Sequence, residues 1–125
     1  MLTPRHTQRI FLAAEPVDMR GGFDRLASKV LQAGLDLYEG HLFVFVSKRR
    51  THLKILTWDG TGLVVLYKRL SKGRFQLPDV PVGARTASLD PASLAVLLEG
   101  CSVRGVRRSS SPDGASSGID MPASR

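Results

Sequence analysis

The residues best suited to chemistry in this sequence are cations, not nucleophiles or metal ligands. Lys48, Arg49, Arg50, Lys54, Lys68, Arg69, Lys72 and Arg74 all fall between Ser47 and Phe75, where the only acid is Asp59. The formal net charge of the chain is +7, so this segment carries the entire excess and the remainder balances. Lysines and arginines on tight turns can each neutralise a phosphate, and Trp58, Tyr67 and Phe75 beside them offer rings on which a base can stack. The same charges suit an acidic protein surface, and lysines on a solvated sheet edge also discourage aggregation. The concentration of charge in one segment favours nucleic acid as the partner. Trp58, next to Leu56 and a turn, reads as core or half-buried cover more than as a stacking ring.

Other reactive side chains form no constellation. His6, His41 and His52 lack the spacing of metal ligands. Cys101 is the single cysteine, which excludes an internal disulfide and a cysteine zinc site. Glu15, Asp18 and Asp24 are close in sequence, and a two-metal nuclease needs clustered carboxylates. Asp18, however, is explained as a helix cap and Asp24 as a solvated helix position. Gly21-Gly22 after Arg20 resembles a loop that could cradle an anion, but there is no GxGxxG or Walker pattern, and close packing of a helix on a sheet explains the glycines as well. The expectation is a protein with no catalytic residue, no metal and no cofactor.

Length sets the scale. A chain of 125 residues, 42% hydrophobic and 23% charged, has the composition of one globular domain. No apolar run approaches the ~20 residues of a membrane helix, and the first residues do not read as a signal peptide. A cytoplasmic protein without membrane association is expected.

The elements that must position the cations follow from patterning. Arg9 to Val17 reads as a strand that ends at Pro16 or lies at an edge. Asp18 reads as the N-cap of a helix over 19–33, with Met19, Phe23, Leu26, Ala27, Val30 and Leu31 as its apolar stripe and Gly34 as its stop. Leu42 to Val46 is a continuous apolar run, as in a strand buried on both faces. Ser47 to Thr51 is a basic turn, Leu53 to Trp58 a strand, and Asp59-Gly60-Thr61-Gly62 a hairpin turn. Leu63 to Leu70 is the next strand, and Arg74 to Leu77 a short one after a turn at Ser71-Lys72-Gly73. Residues 79–87 read as a linker. Asp90-Pro91 then gives an N-cap and a proline in the first turn of a helix stopped by Gly100. The fold class is α+β: a mostly antiparallel sheet of about five strands with two helices packed on it. Residues 1–108 form the domain, and residues 109–125, rich in Ser, Gly and Pro, read as a disordered tail.

An ordered set of phrases adds a resemblance. Asp18 to Asp24 (DMRGGFD), Gly40 to Phe45 (GHLFVF), Lys54 to Gly62 (KILTWDGTG), Lys68 to Leu70 (KRL), Gly73 to Phe75 (GRF) and Leu97 to Gly100 (LLEG) occur in that order. Together they resemble the transposon accessory protein TnpB, the second open reading frame product of the IS-sixty-six group of bacterial insertion sequences. The resemblance spans roughly Arg9 to Gly100. It implies a non-catalytic role in transposition beside a separate transposase and another small transposon-encoded protein, and it brings no catalytic residues. The family commonly continues after LLEG with an aspartate-tryptophan-arginine phrase, and here Cys101-Ser102-Val103-Arg104 stands instead. The expected function is an accessory protein that contacts transposon DNA, or the transposase–DNA complex, through the basic hairpin region. The alternative is a subunit that bridges the transposase and the other small protein without touching DNA. The sequence does not fix the oligomeric state.

Overall fold

The structure, a computed structural model, describes residues 8–100. Five strands form one sheet: β1 (Ile10–Ala13), β2 (Leu42–Val46), β3 (His52–Trp58), β4 (Leu63–Arg69) and β5 (Thr86–Leu89). Their order is β4-β3-β2-β1-β5. Only β1 and β2 run parallel, and α1 (Phe23–Gln32) lies between them in the chain. The other three pairings are antiparallel. A mostly antiparallel α+β sheet with two helices is therefore present as expected. The tail at 109–125 and the end of the expected domain lie outside the described residues, as do His6 and Cys101.

β2 sits at the centre, and its unbroken apolar sequence LFVFV is what a strand covered on both faces requires. Phe43 and Phe45 join Phe11, Leu26, Val30, Leu37 and Leu56 on the α1 side. Val44 and Val46 join Ile10, Leu12, Leu53, Ile55, Phe75 and Leu97 on the other. That second face is closed by α2 (Pro91–Glu99) and by the segment carrying Leu70, Phe75 and Leu77. α2 has the local signals in place: the Asp90 side chain accepts from Ser93 N–H at 2.7 Å, Pro91 opens the helix, and Gly100 ends it.

Three expected features differ. The first helix starts at Phe23, not at 19, and its N-cap is Gly22 with no side-chain cap. Asp18 is engaged elsewhere: its carboxylate accepts from Arg20 N–H at 2.9 Å and from the Arg20 guanidinium, and Gly21 N–H closes a tight turn on Asp18 C=O. Met19 thus drops out of the helix, and only Leu26, Ala27 and Val30 of the expected stripe pack on the sheet. Gly21 is buried in this turn, where a Cβ would fall onto the Arg25 side chain. Second, the first strand is shorter than 9–17: of the two alternatives for Pro16 the strand end holds and the edge does not, since β1 stops at Ala13, before Pro16, and lies between β2 and β5. Third, the fifth strand is Thr86–Leu89, within and just after the expected linker, whereas 74–77 contributes only a single bridge at Arg74. β5 is drawn in by pairing along all four residues with β1, a long-range contact that outweighs its weak local strand propensity.

Candidate nucleic-acid interface

The basic region takes shape at one end of the sheet. The turn from β2 to β3 is tight: Arg50 N–H donates to Ser47 C=O at 2.9 Å, and Ser47 N–H to His52 C=O at 3.0 Å. Arg50 holds φ of 63°, a left-handed conformation that β-branched residues resist and that aims the chain sharply back. Lys48, Arg49 and Arg50 are all exposed on this turn. The register of β3 with β4 pairs His52 with Arg69, so β4 ends where β3 begins. The chain after β4 then folds against the same turn. Leu70 N–H donates to Thr51 C=O at 2.9 Å, and Phe75 N–H to Arg50 C=O at 2.7 Å. Phe75 itself is fully buried and anchors this segment in the core. Arg69, Lys72 and Arg74 are thereby held, exposed, beside Lys48, Arg49 and Arg50. Neither 47–52 nor 68–75 contains a carboxylate. Among the described residues, none of these six cations is in an ion pair.

The other two basic residues of the segment sit differently. The Lys54 ammonium donates to Met19 C=O at 2.8 Å and to Gly21 C=O at 3.0 Å, and lies 4.9 Å from the Tyr67 ring centroid. It braces the turn in front of α1 against the sheet. The Lys68 ammonium donates to Leu98 C=O at 2.6 Å, at the C-terminal end of α2, where a cation is favoured by the helix dipole.

The three aromatic residues of the segment also separate. Phe75 is in the core and Trp58 is half-buried, edge-on to Tyr38 with centroids 5.0 Å apart, at the opposite end of β3 from the basic turn. Tyr67 is 55% exposed and stacks on His52, whose Nδ1 lies 2.9 Å from Thr51 Oγ1. Tyr67 is the aromatic side chain adjacent to the exposed cations.

The remaining candidates do not converge. Asp18 is held well below the usual carboxylate range by its hydrogen bonds to Arg20. Asp24 is exposed in the first turn of α1, and Glu15 lines a cavity of about 500 Å³ with Lys29, Arg85 and Phe45. That cavity, between α1 and the β1–β5 side of the sheet, has no local sequence signal because its walls come from distant segments. Among the described residues, no group of three or more His, Cys, Asp or Glu side chains could hold a metal ion. His41 is part of the fold: Arg9 N–H donates to its Nδ1 at 3.0 Å, which leaves Nε2–H to reach Glu39 at 3.0 Å. No helix among the described residues is long and apolar enough to cross a membrane.

Comparison with known proteins supplies the family. The chain is 37% identical over 109 residues to the uncharacterized protein y4jC of Sinorhizobium fredii, covering 86% of this chain and 92% of that protein. It is 38% identical over 101 residues to the uncharacterized protein y4hO of the same organism, covering 80% of this chain and 86% of that one. No solved structure matches it. Residues 8–108 match the family described as IS66 Orf2 like protein. That match takes in the described domain, including both basic segments, and the chain belongs to the IS66 Orf2-like family of insertion-sequence accessory proteins.

Proposed function

We propose that this accessory protein acts without catalysis, by holding the phosphate backbone of transposon DNA, alone or in complex with the transposase, on the basic end of its sheet. One observation carries the reading: two chain segments are tied together by backbone hydrogen bonds, Leu70 to Thr51 and Phe75 to Arg50, so that six exposed cations share one surface with no carboxylate within either segment. Backbone that is pinned to a buried Phe75 costs little further entropy to order when a ligand binds. The contact set is Lys48, Arg49, Arg50, Arg69, Lys72 and Arg74, with Tyr67 available to pack against a sugar or base. Lys54 and Lys68 support this surface through the backbone carbonyls they hold. Such a surface reads charge and shape more than base sequence.

The test is a mobility-shift titration of the full chain on duplex DNA from the element ends and on unrelated duplex. Binding at low salt that weakens when Lys48, Arg49 and Arg50 are changed to Gln is the expected outcome. No binding at low salt, together with nuclease-resistant co-purification with the transposase, would replace DNA by an acidic protein surface as the ligand.

A further inference from the structure

The two edges of the sheet are unequal. β5 is four residues long, preceded by Pro81 and Gly83 and followed at once by Pro91 of α2. Short edges flanked by prolines are protected against further pairing. β4 is seven residues long, LVVLYKR, and contains no proline, glycine or acid. It pairs with β3 along its whole length, and among the described residues nothing pairs with its outer side. Leu66 is 41% exposed and Tyr67 55% exposed on this strand. The charge brake that commonly blunts such an edge is also partly disengaged, because the Lys68 ammonium is drawn onto Leu98 C=O.

We propose that β4 is an interface for a second copy of this chain, joined edge to edge as an antiparallel pair about a two-fold axis near Leu66. The choice of a second copy rests on the distribution of charge along the strand. Asp59 lies in the turn before β4, while Lys68, Arg69 and Lys72 lie at its end and just beyond. A parallel pairing would set the basic ends side by side. The antiparallel pairing separates them and brings Asp59 of each copy alongside the Arg69 and Lys72 end of the other. Two copies related by such an axis present the same patch to each other, which is the commonest form of protein oligomer. With Leu66 facing its own counterpart, Val65 of one copy faces Tyr67 of the other, an aromatic and β-branched cross-strand pair that stabilises sheets. The product is a continuous ten-stranded sheet from two five-stranded ones, with the two basic ends on opposite sides of the sheet. A single pair of strands buries less than the ~1,200–2,000 Å² of a standard stable interface, so a dissociation constant in the micromolar range is expected. This inference does not depend on DNA binding and is tested without nucleic acid.

The experiment is sedimentation velocity on the full chain from about 1 to about 100 µM at physiological salt. A monomer–dimer equilibrium is expected. Leu66→Lys, which sets two ammonium groups against each other at the axis, should weaken the dimer at least tenfold, and Leu31→Lys on the exposed side of α1 should leave it unchanged. Amide exchange of 63–69 in the unsubstituted chain gives a readout that needs no variant, with alternate amides slowing as the dimer forms. A chain that stays monomeric throughout, or a dimer that forms with no slowing on β4, overturns the proposal.

Discussion

The two ends of the sheet use their charges in opposite ways. At the end holding the β3–β4 turn, the carboxylates are part of the fold. Asp59 accepts from Thr61 N–H at 2.9 Å, Gly62 N–H at 3.0 Å and the Thr61 hydroxyl at 3.1 Å. Asp36 accepts from Tyr38 N–H at 2.8 Å to start the short 3-10 turn Leu37–Glu39, and Glu39 meets His41. At the end holding the β2–β3 turn, Val17 N–H donates to Val46 C=O and so brings the Asp18–Arg20 pair to the same end. Six further cations there are carried on well-ordered backbone and are bound into nothing among the described side chains. Charge that a fold consumes is expected wherever a turn must be capped. Six like charges gathered on one rigid end repel one another, and the proposed function gives them a ligand of opposite sign. Lys54 and Lys68 sharpen the contrast, because they lie in the same segment yet, like the carboxylates, are bound to backbone: Lys54 donates to two carbonyls and Lys68 to one.

The strongest way to break the basic end is to remove its anchor. Phe75→Ala empties a fully buried site and should cost about 3–5 kcal/mol of stability, read from urea unfolding. In whatever fraction remains folded, DNA binding should also weaken, since 69–74 loses its hold on the turn at Arg50. Replacing Lys48, Arg49 and Arg50 together by Gln tests the same end without touching the core. Unfolding free energy should stay within roughly 0.5 kcal/mol of the parent, while affinity for duplex DNA at 0.1 M salt falls by about 10²–10³-fold.

Lys54→Met should divide the other way. Leaving Met19 and Gly21 carbonyls without their donor should cost about 1–2 kcal/mol, measured again by urea, with the salt dependence of DNA binding unchanged. The smallest effect belongs to the acidic end. The hydrogen bonds from Thr61 and Gly62 hold the Asp59 carboxyl below its ordinary value of 3.8. A group whose folded value is lowered adds stability above its unfolded value and loses it as pH falls through the folded one. Unfolding midpoints followed from neutral pH down into the acid range should therefore fall less steeply in Asp59→Asn than in the parent, with the difference confined to pH below about 4. The Gln variants at the basic end should leave that acid limb unaltered.

How much of this was legible depends on the range of the signal. β2 and α2 carry theirs locally, in an unbroken apolar run and in the Asp90-Pro91 to Gly100 frame, and both lie where the patterning places them. The basic turn and the β3–β4 hairpin were legible for the same reason. Asp18 misled because an aspartate caps a tight turn as well as a helix, and the turn won through Gly21 N–H and Arg20. β5 was hidden because TASL beside Pro and Gly has little strand character until β1 lies next to it. For the site, the sequence held the identity of all eight cations but not their division into six and two. The carbonyls that engage Lys54 lie 33 and 35 residues away, and the one that engages Lys68 lies 30 away. The approach of Arg69, Lys72 and Arg74 to the β2–β3 turn likewise needed the buried Phe75.

The most direct test of the central claim is the salt dependence of DNA binding by the unsubstituted chain and by the Lys48, Arg49 and Arg50 to Gln variant. Each phosphate contact contributes about 0.9 to the slope of log affinity against log salt. Six contacts predict a slope of about −5 for the parent, and the variant should be shallower by about 2.7. A parent slope near zero, or a slope that the triple substitution leaves unchanged, would contradict the assignment of this end of the sheet to nucleic acid.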